Sequence, residues 1–407
     1  MKIKINHNIR QDFPWFRKNQ GWVYLDSSAT TLKPRCVINS IVDYYEKWST
    51  NPHNNDSKLT YYVSQLIDNT RSKLALLINA HKQEIIFTSG ATESLNLVAR
   101  GLTKQIKSDD EIIVTYGEHT SNLLPWISLA KTKHCKLIYA GSIDKNLNEQ
   151  DIINKVTKKT KIIAFANISN LIGYELDAQI ISQKAKKINP HVLIVCDATQ
   201  MLPHKLIDVK KSNIDFLVAS AHKMCGATGI GMLYMKTQYF HQLDPLRLGG
   251  GMNNNVMYDS FTYASGPAKF EGGSPHTAGI ISWATAIDYL NAYGWKNIHQ
   301  YELKLKQYAN QKLQLLKNVQ LINPLAQYPI VAFNVNGMHP QDVANYLGHK
   351  KIIVRSGLSC AKLIGKIINQ SGVVRASFYI YNNFHDIDVL VKALKNLKKG
   401  NMLKHVI

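Results

Sequence analysis

Residues 216–235 read FLVASAHKMCGATGIGMLYM. The apolar run Phe216–Ala219 leads into Ser220, Ala221, His222 and Lys223. Gly226, Gly229 and Gly231 follow, before a second apolar run, Met232–Met235. Short runs without polar interruption suit strands buried on both faces. A lysine at the end of such a strand, in a Gly-rich turn, is placed to shed its proton and form a Schiff base. A solvated loop lysine is the plain alternative, and Lys223 by itself does not separate the two.

Upstream, Glu84–Thr88, Glu111–Thr115, Lys136–Tyr139, Lys161–Phe165 and Val192–Cys196 have the same apolar character. Helical patterns such as Thr92–Thr103 and Ala178–Ile188 lie between them. This alternation predicts an α/β domain with a mostly parallel sheet. After about residue 290 the pattern changes. An amphipathic segment, Ile298–Lys317, is followed by strand Ile330–Asn334, helix Pro340–Leu347 and strand Ile352–Arg355. Then come a loop through Cys360, segment Val373–Tyr379 and helix Asp386–Lys399. These read as a smaller α+β domain. The expected division is a segment 1–22 packing with the small domain, a large domain 23–293, and a small domain 294–407 carrying the cysteine loop.

The 407 residues are 45% hydrophobic and 19% charged, which excludes a disordered chain and allows a core able to seat a cofactor. The formal net charge of +21 would suit nucleic acid or an anionic membrane. The lysines are scattered, however, and the densest run, Lys392 to Lys404, reads as the polar face of a terminal helix. The expectation is therefore no nucleic-acid and no membrane partner. The five cysteines, Cys36, Cys135, Cys196, Cys225 and Cys360, are far apart and form no CxxC pair. That argues against a disulfide framework or a Cys-rich metal site, and no metal is expected. Met1–Asp12 is polar and no apolar run reaches membrane-spanning length, so a cytoplasmic location is expected.

Three further stretches bear on Lys223. Asp197 closes the run Val192–Cys196 and precedes Ala198, Thr199 and Gln200. A carboxylate there could hold a proton on a pyridinium nitrogen, or simply cap a turn. Thr88-Ser89-Gly90-Ala91-Thr92-Glu93 joins a strand to a helix, where N–H groups and the Thr92 hydroxyl could hold a phosphate. No GK[ST] follows, so it is not a Walker A loop, and an ordinary capped helix is the alternative. His119, after Glu118, could lie flat on an aromatic ring and assist proton transfer, or be solvated in a loop.

Taken in order, these residues resemble the signature of class V, fold-type I pyridoxal-phosphate enzymes, and within it the cysteine desulfurases of the SufS type. The likeness runs from Tyr24-Leu25-Asp26 to the last helix. It passes through 90–96 (GATESLN), Ser169-Asn170, 197–200 (DATQ), 220–223 (SAHK), 270–275 (FEGGSP) and 355–361 (RSGLSCA). The resemblance implies a fold-type I transferase that uses pyridoxal 5'-phosphate and converts L-cysteine to L-alanine. Lys223 would carry the cofactor, Asp197 face the pyridine nitrogen, Gln200 the phenolic oxygen, and His119 stack on the ring. Thr92, Ser220 and His222 would hold the phosphate beside Ala91. Ser274 stands where the family has a threonine that reaches the partner subunit's phosphate, which implies a homodimer. Asn170 and Arg375, with Arg355, would receive the substrate carboxylate. Cys360 would accept the sulfur as a persulfide and pass it to an acceptor protein of the SufE or SufU type. The destination would be iron–sulfur cluster assembly or tRNA thiolation. The short spacing from Cys360 to Arg375 resembles the SufS type rather than the NifS or IscS type. Cys225 reads as packing.

The chain also departs from the family. Gly357-Leu358-Ser359-Cys360 stands where Gly-His-His-Cys is frequent. His53-Asn54-Asn55-Asp56-Ser57 lacks the arginine and second histidine of the early family pattern, and His339-Pro340-Gln341-Asp342 lacks a second histidine. A selenocysteine lyase or another class V β-lyase would share every cofactor residue. A non-catalytic scaffold or basic RNA-binding protein would not need Lys223 and Asp197.

Overall fold

The structure is a computed structural model, and it describes residues 5, 7–52, 56–141 and 147–397. Strand β1 (Val23–Tyr24) pairs with a late segment of the chain. The seven apolar runs read from the sequence form one sheet instead. They are β2 (Ile85–Thr88), β3 (Glu111–Thr115), β4 (Lys136–Ala140), β5 (Thr160–Ala166), β6 (Leu193–Asp197), β7 (Phe216–Ser220) and β8 (Gly231–Met235). Their spatial order is β2-β8-β7-β6-β5-β3-β4. β8 runs antiparallel to both neighbours, and the other pairings are parallel. The long runs are apolar throughout because both faces are covered. Ile85 and Phe87 join one buried cluster with Ile163, Leu217 and Trp283. Ile86, between them, joins a second cluster with Val98, Trp126 and Phe216. That is the two-residue period of a strand, with a core on each side.

A hairpin of β9 (Asn253–Val256) and β10 (Phe261–Tyr263) follows, with Val256, Tyr258 and Phe261 exposed. The buried helix Thr277–Tyr293 ends at Gly294, and helix Trp295–Gln314 begins directly after it. Beyond it β11 (Val319–Ile322), β12 (Ile330–Val335), β14 (Arg355–Gly357) and β15 (Val373–Ser377) form an antiparallel sheet in the order β11-β12-β15-β14. The expected single strand Ile352–Arg355 is divided. β13 (Ile352–Ile353) pairs in parallel with β1, whereas Arg355 opens β14 opposite Arg375. The chain turns between two pairing partners at Val354, a choice that local sequence does not encode.

The segment around β1 therefore pairs with the later part of the chain, forming a separate two-stranded sheet with β13 beside the smaller sheet. Asp26 bridges Ser377, and Asn382 Nδ2 donates to the Tyr24 carbonyl at 2.8 Å. The last helix is Phe384–Lys395, started by an Asn383 capping box with Asp386. Of the basic run Lys392 to Lys404, residues 398–404 lie outside the described residues, as do residues 53–55 of the early family pattern and residues 1–4 of the N-terminus.

Candidate active site

Strands β3, β5, β6 and β7 are parallel, so their carboxyl ends lie along one edge of the sheet. That edge is where an open α/β sheet leaves room for a ligand. A cavity of about 330 Å³ opens there. All the residues expected at the site line it except Ser274.

Asp197 is the last residue of β6 rather than the first after it, and is buried. One of its carboxylate oxygens, Oδ1, accepts from the Thr199 N–H at 3.0 Å. Gln200, buried in the following turn, donates through Nε2 to the Ser28 carbonyl at 2.9 Å. β7 ends at Ser220, and a single 3-10 turn, Ala221–Lys223, carries Lys223 into the cavity. Burial lowers the Lys223 ammonium from its ordinary 10.5 to about 8, against the opposing pull of Asp197. His119 follows β3. Its Nδ1 accepts from the Ser121 N–H at 3.1 Å, which puts the proton of the neutral ring on Nε2. Burial and the neighbouring Lys223 charge both lower its pKa, so the ring is held neutral.

Beneath it, buried Glu118 accepts from Thr115 Oγ1 and Asn122 Nδ2, both at 2.6 Å, and from the Ala166 N–H at 3.2 Å. Burial raises its pKa to about 8 despite these donors. Three donors from the ends of β3 and β5 and from the turn at Asn122 therefore tie the His119 loop to the sheet.

The helix Ala91–Gly101 starts at the cavity. The Ala91 N–H donates to Ser220 Oγ at 2.9 Å, and Thr92 and Ser121 share a hydroxyl–hydroxyl hydrogen bond of 2.7 Å. His222 stands beside them, its pKa lowered to about 4 by burial and by the charges of Lys223 and Lys33. The turn is tight because β8 passes close by. A Cβ at Gly231 would lie 2.4 Å from the Gly90 Cα and 2.8 Å from the Ala219 carbonyl oxygen.

The opposite wall comes from the smaller sheet. Arg375, in the middle of β15, is fully buried and its positive charge is penalised by that burial. It donates to Asp26 Oδ1 and to the Asn170 carbonyl, both at 2.6 Å. Arg355 faces it across β14 and β15 and is exposed. Asn170 donates through Nδ2 to the Ser359 carbonyl at 2.7 Å. Cys360 is exposed at the cavity rim, and its carbonyl accepts from the Thr120 N–H at 2.8 Å. Ser359 and Cys360 are both left-handed, with φ of 46° and 64°. Two successive non-glycine residues in that region are uncommon. The hydrogen bonds from Asn170 and Thr120 hold them there. Cys225, by contrast, is buried, its thiol pushed up to about 12 by burial.

The cavity suits the cofactor that the sequence resemblance implies. Thr199 Oγ1, Ser359 Oγ and Arg375 Nε line it as buried atoms without a partner among the described residues. They are hydrogen-bonding capacity waiting for a polar ligand. Hydroxyls, a helix N-terminus, a carboxylate and a lysine all line it. Ser121, Ser28 and Thr199 also line the cavity and were not read from the sequence. Ser121 carried a signal, being two residues past His119 in the same loop. Ser274 lies in a separate pocket with Ser89, Arg247 and Glu271, and is exposed. Among the described residues there is no cluster of metal-ligating side chains and no helix long and apolar enough to cross a membrane.

Comparison with known proteins gives a consistent picture. The aminotransferase class-V family profile matches residues 23–390. The chain is 47% identical over 401 residues to a probable cysteine desulfurase of Ureaplasma parvum serovar 3, covering 98% of this chain and 100% of that one. Among solved structures it is similar to the apo cysteine desulfurase of Thermococcus onnurineus NA1. The TM-score is 0.92 and the identity 34%, over 98% of this chain and 99% of that one. It is also similar to the cysteine desulfurase CsdA of Escherichia coli in its S-sulfonic acid form. There the TM-score is 0.88 and the identity 29%, over 98% of each chain.

Proposed function

The chain belongs to the aminotransferase class-V family, and from that premise we propose how it works as a cysteine desulfurase. The observation that carries the reading is the meeting of Lys223 and Asp197 from the large sheet with Cys360 and Arg375 from the small lobe around one cavity.

In this reading Lys223 would hold pyridoxal 5'-phosphate. Thr92, Ser220, His222 and the backbone at Ala91 would serve its phosphate, Asp197 its ring nitrogen, Gln200 its phenolic oxygen and His119 its ring. When bound, that group supplies an electron sink, which loosens the Cα–H and Cβ–S bonds of a bound amino acid. Arg375, oriented by Asp26, receives the substrate carboxylate with Asn170 and Arg355, since a guanidinium suits that bidentate task. Lys223, with a lowered pKa, takes the Cα proton. Cys360 then takes the sulfur as a thiolate: its S–S bond forms as the Cβ–S bond of L-cysteine breaks, the released electron pair takes a proton at Cβ, and Lys223 returns a proton to Cα, giving L-alanine and a persulfide on Cys360. Cys360 suits that role because its side chain is exposed at the rim and its backbone is pinned.

The same reading gives a large domain 23–293, whose first residues reach across to pair with a small domain 294–407, and a homodimer in which Ser274 completes the partner's phosphate site. It delivers sulfur to an acceptor protein of the SufE or SufU type, for iron–sulfur clusters or tRNA thiolation, in the cytoplasm. The five unpaired cysteines support a reducing compartment.

The test is alanine formation from L-cysteine with a reductant present. Wild type is expected to form alanine, and Cys360→Ala is expected to lose it at least tenfold while keeping the cofactor. Equal alanine from both proteins would move the chain to the β-lyase reading.

A further inference from the structure

The carbonyl of His222, the residue immediately before Lys223, attracts an unusual number of donors. The Thr31 N–H lies 3.0 Å away, Thr31 Oγ1 3.0 Å, Thr30 Oγ1 3.1 Å and Lys33 Nζ 2.9 Å. A carbonyl has two lone pairs, so this crowd holds the oxygen in place more firmly than its satisfaction requires. On the other side of Lys223, the Cys225 N–H donates to the same Thr31 hydroxyl at 2.8 Å. One hydroxyl thus donates to the residue before Lys223 and accepts from the residue two places after it. Thr31 is almost fully buried. Its own loop is anchored from a third direction by the Tyr24 hydroxyl, which donates to the Thr30 carbonyl at 2.7 Å.

We propose that Thr31 is a positioning residue that fixes the main chain on both sides of Lys223 and so sets where its amine stands in the cavity. The proposal rests on the reading of Lys223 as the cofactor lysine. The turn Ala221–Lys223 is one short 3-10 turn at a strand end, and the buried wall behind it is formed by residues 30–33, far away in the chain. Without the Thr31 hydroxyl the His222 carbonyl keeps its other donors, but the Cys225 N–H loses its partner, and the main chain after Lys223 loses that tie to the wall. The amine can then shift toward water. Orientation errors of this size lower rates while leaving binding largely intact.

The test uses the holoenzyme. Thr31→Val keeps the side-chain shape and removes the hydroxyl, whereas Thr31→Ser keeps the hydroxyl. The visible absorbance of the Lys223–cofactor linkage is titrated against pH without substrate, and alanine formation is resolved into kcat and KM. Thr31→Val is expected to move the titration midpoint upward, as burial of the imine nitrogen is relaxed and its protonated form better solvated, and to lower kcat roughly tenfold with little change in KM. Thr31→Ser is expected to restore both. A Thr31→Val enzyme with the wild-type midpoint and kcat overturns the proposal, as does a Thr31→Ser enzyme equally impaired. If Thr31→Val gives no folded protein, Thr31→Ala removes the same hydroxyl with less bulk, and a wild-type midpoint and kcat there overturn the proposal. Linkage absorbance that survives in the Lys223→Ala variant overturns the reading of Lys223 itself, and the clamp with it.

Discussion

At the scale of the residue, the question is when Lys223 is neutral. An amine attacks only without its proton, and burial moves that condition down from 10.5 to about 8. Uptake of pyridoxal phosphate by the apoprotein should accelerate about tenfold per pH unit below about 8 and level off above it. Stopped-flow absorbance measures this directly, and a rate still climbing at pH 10 would rule out the burial effect. The same shift bears on stability. The folded state gives up this proton before the unfolded state does, so Lys223 makes the apoprotein more stable as pH rises from about 8 to 10.5. The position of Lys223 and Asp197 at the cavity was readable from the chain because each closely follows an apolar run. The supports of the site were not. Asp26 reaches Arg375, and Thr31 reaches His222, across separations that no local pattern signals.

At the scale of the element, the close approach of β8 to the start of helix Ala91–Gly101 shapes the part of the cavity proposed to take the phosphate. Gly231→Ala would place its methyl against the Gly90 backbone and the Ala219 carbonyl, and backbone cannot step aside as a flexible side chain can. The variant is expected to be destabilised by about 1–3 kcal/mol and to hold the cofactor more weakly. Thermal unfolding and cofactor dissociation test this, and wild-type values in both would show that the two strand ends have room to move. The large sheet was legible because its strands are apolar on both faces. The smaller sheet was legible in part: β12 and β15 carry apolar runs, but β14 contains Arg355, Ser356 and Gly357. Nothing in those three residues announces a strand. The hairpin β9 and β10 begins with Asn253, Asn254 and Asn255 and has little local strand character.

At the scale of the whole molecule, the two sheets share a core. Phe13, Tyr328, Ala361 and Tyr381 belong to the same buried cluster as Ile163 and Leu217 of the large sheet. Phe13 meets Tyr381 edge-on at 4.8 Å, Arg10 pairs with Asp386 at 2.8 Å, and the Tyr379 hydroxyl donates to the Pro203 carbonyl. The N-terminal helices thereby tie the last helix to the rest. Calorimetry of the apoprotein is expected to show one cooperative transition, because separating the lobes would expose this shared cluster. Two resolved transitions would show that the lobes are coupled only through the cavity.

The distribution of the sulfur atoms has a practical consequence. Cys196 and Cys225 are buried, Cys135 is half-covered, and Cys36 and Cys360 are exposed. A thiol-alkylating reagent applied to the native chain and followed by intact-mass spectrometry therefore meets few competitors for the rim position. With Cys36 replaced by serine, the adduct mass on a peptide containing residue 360 would report whether the proposed extra sulfur atom arrives and departs during turnover.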